Sequence, residues 1–413
     1  MRIAYITAGA GGTICGNCLR DNALAASMIE LGEDVTLLPV YTPIRTDETD
    51  VSEREVYLGG VNIFLQQRSA LFRKIPRALD RILDNPALLR WVSRFAVKTL
   101  PEDLGALTVA TIQGADGPLS KEITRLVDHL RDLQPEVVHL TNSMLVGLAG
   151  PVKQQLDVPV VCSLQGEDVY LDGLPEPFRT QAYEELRRQA EHVDLFVAPC
   201  RDHAQALAGR VGRTARNIAV VYPGVQIDDL QPAASPPSDF TVGYLARIAP
   251  EKGLDRLLAA LPERARLRAA GWVSPEHEDF LANVEAAAKP GQLEILRDVN
   301  RAQKAAFLQS INVLSVPTIY GASKGLYLLE AWAAGVPVVQ PRIGAFTELI
   351  ESSGGGVLVP PGDTQALRQA LVRLRDNPGE ARALGEKGRR AVAERFTAAH
   401  MASNTLDLYR KLS

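Results

Sequence analysis

The sequence predicts an α/β protein built from two doubly wound, parallel-sheet domains. Three observations carry that expectation. Strand-prone runs alternate with helical runs through both halves of the chain. At 413 residues the chain is too long for a single core. The alternation pauses once, at the proline- and serine-rich stretch Gln231-Pro-Ala-Ala-Ser-Pro-Pro-Ser-Asp239, which reads as a linker.

Taken in order, residues 2–7 (RIAYIT) are β-prone and run into glycines, so they read as a first strand. From about Asn17, Leu19, Ala23 and Ala26, with Leu24 and Met28 beside them, follow helical spacing up to Gly32. Residues 35–40 then read as a second strand, completing a βαβ unit with a glycine-rich turn between its first strand and its helix. Further strands are expected at 137–140, 158–163, 194–198 and 218–221. After the linker they resume at 240–245, 266–270, 313–316 and 336–339. Sheets of this kind bind ligands outside the carboxyl ends of their strands, and two facing each other would form an inter-domain cleft.

The first turn, AGAGGTICGNC (residues 8–18), admits several readings. Cys15 and Cys18 form a CxxC at a helix start, where thioredoxin-type redox sites also sit. The aromatic and proline that usually flank such a site are missing. A zinc site needs a second pair of ligands at matched spacing, and the six histidines and other two cysteines are scattered. The dinucleotide fingerprint begins with Gly9 and Gly11, but Ile14 stands at its third glycine, and Tyr41 and Thr42 end the second strand where an acid belongs. There remain a plain tight turn, or a flexible loop whose N–H groups approach an anion at a helix N-terminus.

Bulk properties narrow the function. A net charge of −4 argues against a dedicated nucleic-acid binder. No apolar run approaches the length of a membrane span, and residues 1–12 lack a signal peptide's hydrophobic region. Four cysteines in so long a chain favour a reducing compartment, so a cytoplasmic protein is expected. One region breaks the alternation. Residues 66–98 carry eight Lys/Arg, against Asp80 and Asp84, interleaved with Phe72, Trp91 and Phe95. Such a stretch can lie on an anionic membrane surface, here the inner face, or form a solvated helical insertion.

The second half brings a resemblance. Residues 243–253 (GYLARIAPEKG) resemble the glycine–arginine–proline–glutamate–lysine–glycine segment of glycosyltransferase family 4, and residues 316–339 resemble its donor-site segment. Residues 344–348 and 357–363 follow at the family's usual offsets, and residues 135–139 and 222–225 match in the first half. The likeness covers nearly the whole chain apart from 45–120. It implies a GT-B fold: two Rossmann-like domains facing a central cleft, residues 1–232 on the acceptor side with 66–98 as a basic helical insertion, and residues 240–396 binding a nucleotide sugar. The final helix, within 397–413, is then expected to cross back to the first domain.

The resemblance also implies chemistry. A retaining transferase that needs no metal or other cofactor would take a nucleoside-diphosphate sugar and pass the sugar to a sugar, lipid or small-molecule acceptor. Charge building on the departing diphosphate would fall to Arg247, a fork, and Lys252, a point charge. Lys324 could add a phosphate contact, and Gly325 and Leu326 open a helix whose N–H groups face the same anion. Glu330 resembles the family's ribose-binding acid, and Gly11 and Gly12 fit its first glycine-rich turn, which leaves Cys15 and Cys18 as thiols of the cleft wall. Two departures stand out. Ala322 occupies the position of a second glutamate, and Gln165 stands where a histidine is common. Gln165, Glu167 and Asp168 are then the candidates for the reacting-sugar side. The departures also suit a catalytically reduced module that binds a nucleotide sugar or glycan without turnover.

Overall fold

A computed structural model describes residues 1–9, 15–57, 101–235, 237–321 and 323–412. Three sequence expectations therefore lie outside the described residues: the roles of Gly11 and Gly12, the 66–98 insertion, and the consequence of Ala322. Contacts divide the chain into two units, Met1–Val221 with Ala402–Ser413, and Tyr222–Met401.

The first unit contains β1 (Arg2–Thr7), α1 (Gly16–Glu30), β2 (Asp34–Pro39), α2 (Pro101–Gln113), α3 (Ser120–Leu133), β3 (Val137–Leu140), α4 (Ala149–Leu156), β4 (Val160–Ser163), α5 (Asp168–Asp172), α6 (Phe178–Gln189), β5 (Leu195–Ala198), α7 (Arg201–Ala208) and β6 (Ile218–Val220). Its six strands pair in parallel in the order β2-β1-β3-β4-β5-β6. β3 and β4 are buried along their whole length, the pattern of strands covered by helices on both faces. Order reverses between β1 and β3, which makes that pair the switch point where open α/β sheets bind ligands.

The second unit contains β7 (Thr241–Leu245), α8 (Leu254–Ala260), β8 (Arg266–Gly271), α9 (Glu278–Ala287), β9 (Leu293–Arg297), α10 (Arg301–Gln309), β10 (Val313–Leu314), α11 (Leu326–Ala333), β11 (Val338–Pro341), α12 (Ala345–Ser353), β12 (Gly356–Val359), α13 (Thr364–Asp376) and α14 (Pro378–Arg395). Its strands pair in parallel in the order β12-β11-β10-β7-β8-β9, the doubly wound arrangement with its switch point between β7 and β10. A last helix, α15 (Ala398–Tyr409), contributes its residues from Ala402 onward to the first unit.

The division falls at Val221/Tyr222, ahead of the stretch 231–239 read as a linker. Side chains of the second unit explain why. Arg301 holds the Gln226 carbonyl and the Asp229 carboxylate, and Gln309 donates to the Gln231 carbonyl. These contacts draw the residues before the prolines into the second unit.

One core contact bears directly on the candidate site. Trp332 of α11 is fully buried and donates its indole N–H to the Gly355 carbonyl at 2.8 Å. A Cβ on Gly388 of α14 would lie 2.3 Å from the Trp332 ring, so that helix can approach only as glycine. The indole thus fixes the height and rotation of α11.

Candidate functional site

In the second unit the predicted residues issue from the two strands that flank the switch point. Arg247 and Lys252 follow β7. Lys324, Gly325, Leu326 and Glu330 follow β10. The β7 segment turns through a short 3-10 helix, Pro250–Lys252, and ends at Gly253, whose φ of +77° is costly for any residue with a Cβ. A Cβ there would also lie 2.4 Å from the Pro317 carbonyl oxygen. Glycine therefore lets the β7 turn pack directly against the segment after β10. Two hydrogen bonds tie the same segments, Ile319 N–H and Thr318 Oγ1 both donating to the Glu251 carbonyl at 3.1 Å.

The charges in this turn are unevenly met. Arg247 Nη2 pairs with Glu251 Oε1 at 2.5 Å, and both side chains are partly exposed. Lys252 is half-buried, its ammonium 4.7 Å from the centre of the Tyr320 ring. Burial, then the neighbouring Arg247 charge, push its pKa down to about 8, with Glu251 opposing. A lysine so disfavoured as a cation gains by meeting an anion.

α11 begins one strand away. Its N-cap, Gly325, has φ +69° and offers no side-chain cap. The helix therefore presents its first N–H groups without a competing side chain from the cap. Lys324 stands just outside, its Nζ 3.5 Å from Ser323 Oγ, and Leu326 is half-buried. Glu330 lies farther along the helix, 7% exposed. Its Oε1 meets the ammonium of Lys304, which is itself 5% exposed, and Arg301 Nη1 at 3.7 Å. Neither cation was singled out from the sequence. The signal was the spacing of Arg301 and Lys304, three apart on one helix face.

In the first unit, Gln165 and Glu167 join one buried cluster at the carboxyl ends of β1, β3 and β4. Gln165 Nε2 donates to Asp21 Oδ1 at 3.1 Å and to the Thr141 carbonyl at 2.8 Å. Asp21, fully buried, also accepts from the hydroxyls of Tyr5, Thr7 and Thr141 and lies 3.3 Å from Arg20. Glu167 accepts from Ser143 N–H at 3.0 Å, Ser143 Oγ at 2.5 Å and Gln165 N–H at 2.6 Å. It clasps the loop after β4 to the loop after β3. Asp168 departs from them, pairing with Arg210 at 3.3 Å on a more exposed face.

Beneath the cluster, His139 Nε2 and Ser163 Oγ are 2.8 Å apart, and His139 Nδ1 meets the Tyr409 hydroxyl. Burial, then the Arg20 charge, hold His139 well below its ordinary pKa, so the ring is neutral. Asp21, Arg20, Thr141 and Ser143 escaped the sequence reading because single polar residues inside apolar strands and helices carry no periodic signal.

The two thiols of the CxxC differ in exposure, Cys15 being partly exposed. Cys18 is buried, and its thiol is pushed far above the usual range by its hydrogen bond with Cys15 and by burial. Among the described residues, no three His, Cys, Asp or Glu side chains gather as metal ligands would.

Comparison with known proteins bears on the family and the fold. The family described as "Glycosyl transferases group 1" matches residues 226–391, and that described as "Glycosyltransferase Family 4" matches residues 116–229. A D-inositol 3-phosphate glycosyltransferase of Xylanimonas cellulosilytica is 30% identical over 305 residues, covering 66% of this chain and 71% of the relative. A Streptomyces bingchenggensis protein of the same description is 29% identical, over 52% of each chain. A phosphatidyl-myo-inositol mannosyltransferase of Mycobacterium leprae is 36% identical over 37% of this chain and 43% of its own. The match thus spans about half the length of these last two relatives. Among solved structures, a sucrose-phosphate synthase from Thermosynechococcus elongatus superposes with a TM-score of 0.72 at 18% identity, covering 100% of this chain and 99% of that one. Anabaena HepE in complex with UDP gives 0.70 at 16% identity, with 100% of both chains covered. These similarities establish the GT-B fold. Together with the Xylanimonas relative and the two family matches, they show that the chain belongs to glycosyltransferase family 4.

Proposed function

We propose that the protein transfers a sugar from a nucleoside-diphosphate sugar to an acceptor, with retention of configuration, using side-chain cations where other transferases use a metal. The observation that carries this reading is that the β7 turn bearing Arg247 and the acidified Lys252 packs against the segment after β10 that leads into the Gly325-capped helix. Three sources of positive potential on adjoining segments suit a diphosphate. As the bond to the sugar breaks, charge accumulates on the departing diphosphate, and cations already in position stabilise it without reorganisation. Glu330 would take the ribose. Gln165 and Glu167 would shape the sugar side, with Glu167 acting through the loop it clasps, and Asp168 would stand at its margin. Relatives acting on inositol phosphates make a phosphorylated or lipid-linked polyol a reasonable acceptor class, and HepE crystallised with UDP makes UDP a sensible first probe.

A second reading is a module that binds a nucleotide sugar without turnover. The inward-facing Gln165 amide favours it, because that amide is already committed to Asp21 and Thr141. Incubating the protein with UDP-, GDP- and ADP-sugars separates the two. Release of nucleoside diphosphate, by hydrolysis or transfer to an inositol phosphate, supports the transferase. Tight binding with no release across donors and acceptors supports the module.

A further inference from the structure

The pairing of Lys304 with Glu330 extends the donor reading, on which this inference rests. An Asn300/Gln303 capping box fixes the first turn of α10, with Gln303 N–H donating to Asn300 Oδ1 and Asn300 N–H to Gln303 Oε1, both at 2.9 Å. That turn carries Arg301 and Lys304 on one face. Arg301 is committed elsewhere: its guanidinium grips Asp229 through two 2.7 Å contacts and donates to the Gln226 carbonyl at 2.7 Å. It stands off from Glu330 at 3.7 Å. Lys304, 5% exposed, is the cation in direct contact with the carboxylate.

We infer that Lys304 is a positioning residue that orients the Glu330 carboxylate for a ribose diol and so sets the preference for ribonucleotides over 2′-deoxynucleotides. Two neighbouring hydroxyls need an ionised carboxylate, which is an acceptor only. Both cations approach Oε1, so that oxygen of the carboxylate is held before any ligand arrives. Glu330 lies five residues beyond Gly325, which at helical rise is about 7.5 Å along the axis. A nucleoside diphosphate with its phosphates at the helix start would bring its ribose to that depth.

The test compares UDP, GDP and ADP with their 2′-deoxy counterparts by calorimetry, with inorganic pyrophosphate as a probe of the phosphate site alone. Wild type is expected to favour the ribonucleotide by about tenfold or more, because a site built to bond a hydroxyl rejects a ligand lacking it. Lys304→Met should bring that ratio to about one while pyrophosphate affinity changes less than about threefold, and Lys304→Arg should keep most of the preference. A folded Lys304→Met that retains the wild-type ratio overturns the inference, as does a loss of pyrophosphate binding in step with the nucleotide. Should Lys304→Met fail to fold, the doubly apolar Lys304→Met/Glu330→Leu removes both buried charges. That variant should bind pyrophosphate without telling ribose from deoxyribose, and discrimination by it would also overturn the inference. Wild type that binds none of the diphosphates refutes the donor reading itself, whereas equal affinity for ribo- and deoxynucleotides refutes only the role of Lys304.

Discussion

Lys252 makes the site's electrostatics measurable. Burial and Arg247 hold its pKa at about 8 in the free protein. A diphosphate favours the ammonium and raises that pKa, so the ligand must recruit a proton wherever free Lys252 is neutral. With a free pKa of about 8, binding should take up about 0.1 proton at pH 7, about 0.5 at pH 8 and about 0.9 at pH 9. The same linkage weakens affinity about twofold at pH 8 and about tenfold at pH 9, relative to pH 6–7. The direction is fixed: affinity is full below the depressed pKa and is lost as pH rises through it. Calorimetry of UDP or GDP in two buffers of different ionisation enthalpy reads the protons directly. Lys252→Met should abolish the uptake and weaken diphosphate binding by about 1.5–3 kcal/mol, the scale of a bond to a charged group. Proton uptake that is absent at pH 9, or unchanged in Lys252→Met, would refute the clamp.

Other consequences can be checked together. Trp332→Ala should cost about 3–5 kcal/mol of stability in denaturant titration, and in the still-folded fraction should weaken donor binding by loosening α11. Glu167→Gln should lower turnover by about tenfold or more with nucleotide affinity nearly unchanged, because the loops after β3 and β4 lose an ionised clasp. Full wild-type turnover in that variant would exclude this role. Cys18 should resist alkylation in the native protein and react once it is denatured, whereas rapid native labelling would contradict the buried, protonated thiol. The doubly substituted Cys15→Ser/Cys18→Ser protein should fold and still bind donor.

Most strands were readable in the sequence, the outer strands β2 and β6 of the first sheet among them, and two were not. β1, β3, β4, β7 and β11 are apolar runs because helices cover both their faces. β9 and β12, the two outer strands of the second sheet, were missed as strands. Residues 293–297 mix Glu294 and Arg297 among apolar side chains without strict alternation or full burial, and residues 356–359 open on glycine, so neither has a buried strand's signature. The candidate site divides in a similar way. Arg247, Lys252, Gly325 and Glu330 were singled out through the resemblance of their segments to the family's, and the structure sets them on the turn after β7 and on the helix after β10. The Lys304 and Arg301 partners, and the Asp21 cluster beneath Gln165, depend on contacts between distant segments that no local pattern reports. The 231–239 stretch has a linker's composition, yet the Gln309 side chain holds its first residue, Gln231, and Arg301 holds Gln226 and Asp229 just before it, in the second unit.

The most direct test of the account is the binding of UDP, GDP and ADP to wild type and to Arg247→Ala, each set beside its nucleoside monophosphate. The account predicts that at least one diphosphate binds wild type and raises its thermal stability, since a ligand of the native state alone must do so. It also predicts that Arg247→Ala loses about 1.5–3 kcal/mol of diphosphate affinity and clearly less of monophosphate affinity. Wild type that binds no diphosphate, or an Arg247→Ala protein that binds it as tightly as wild type, would contradict the account.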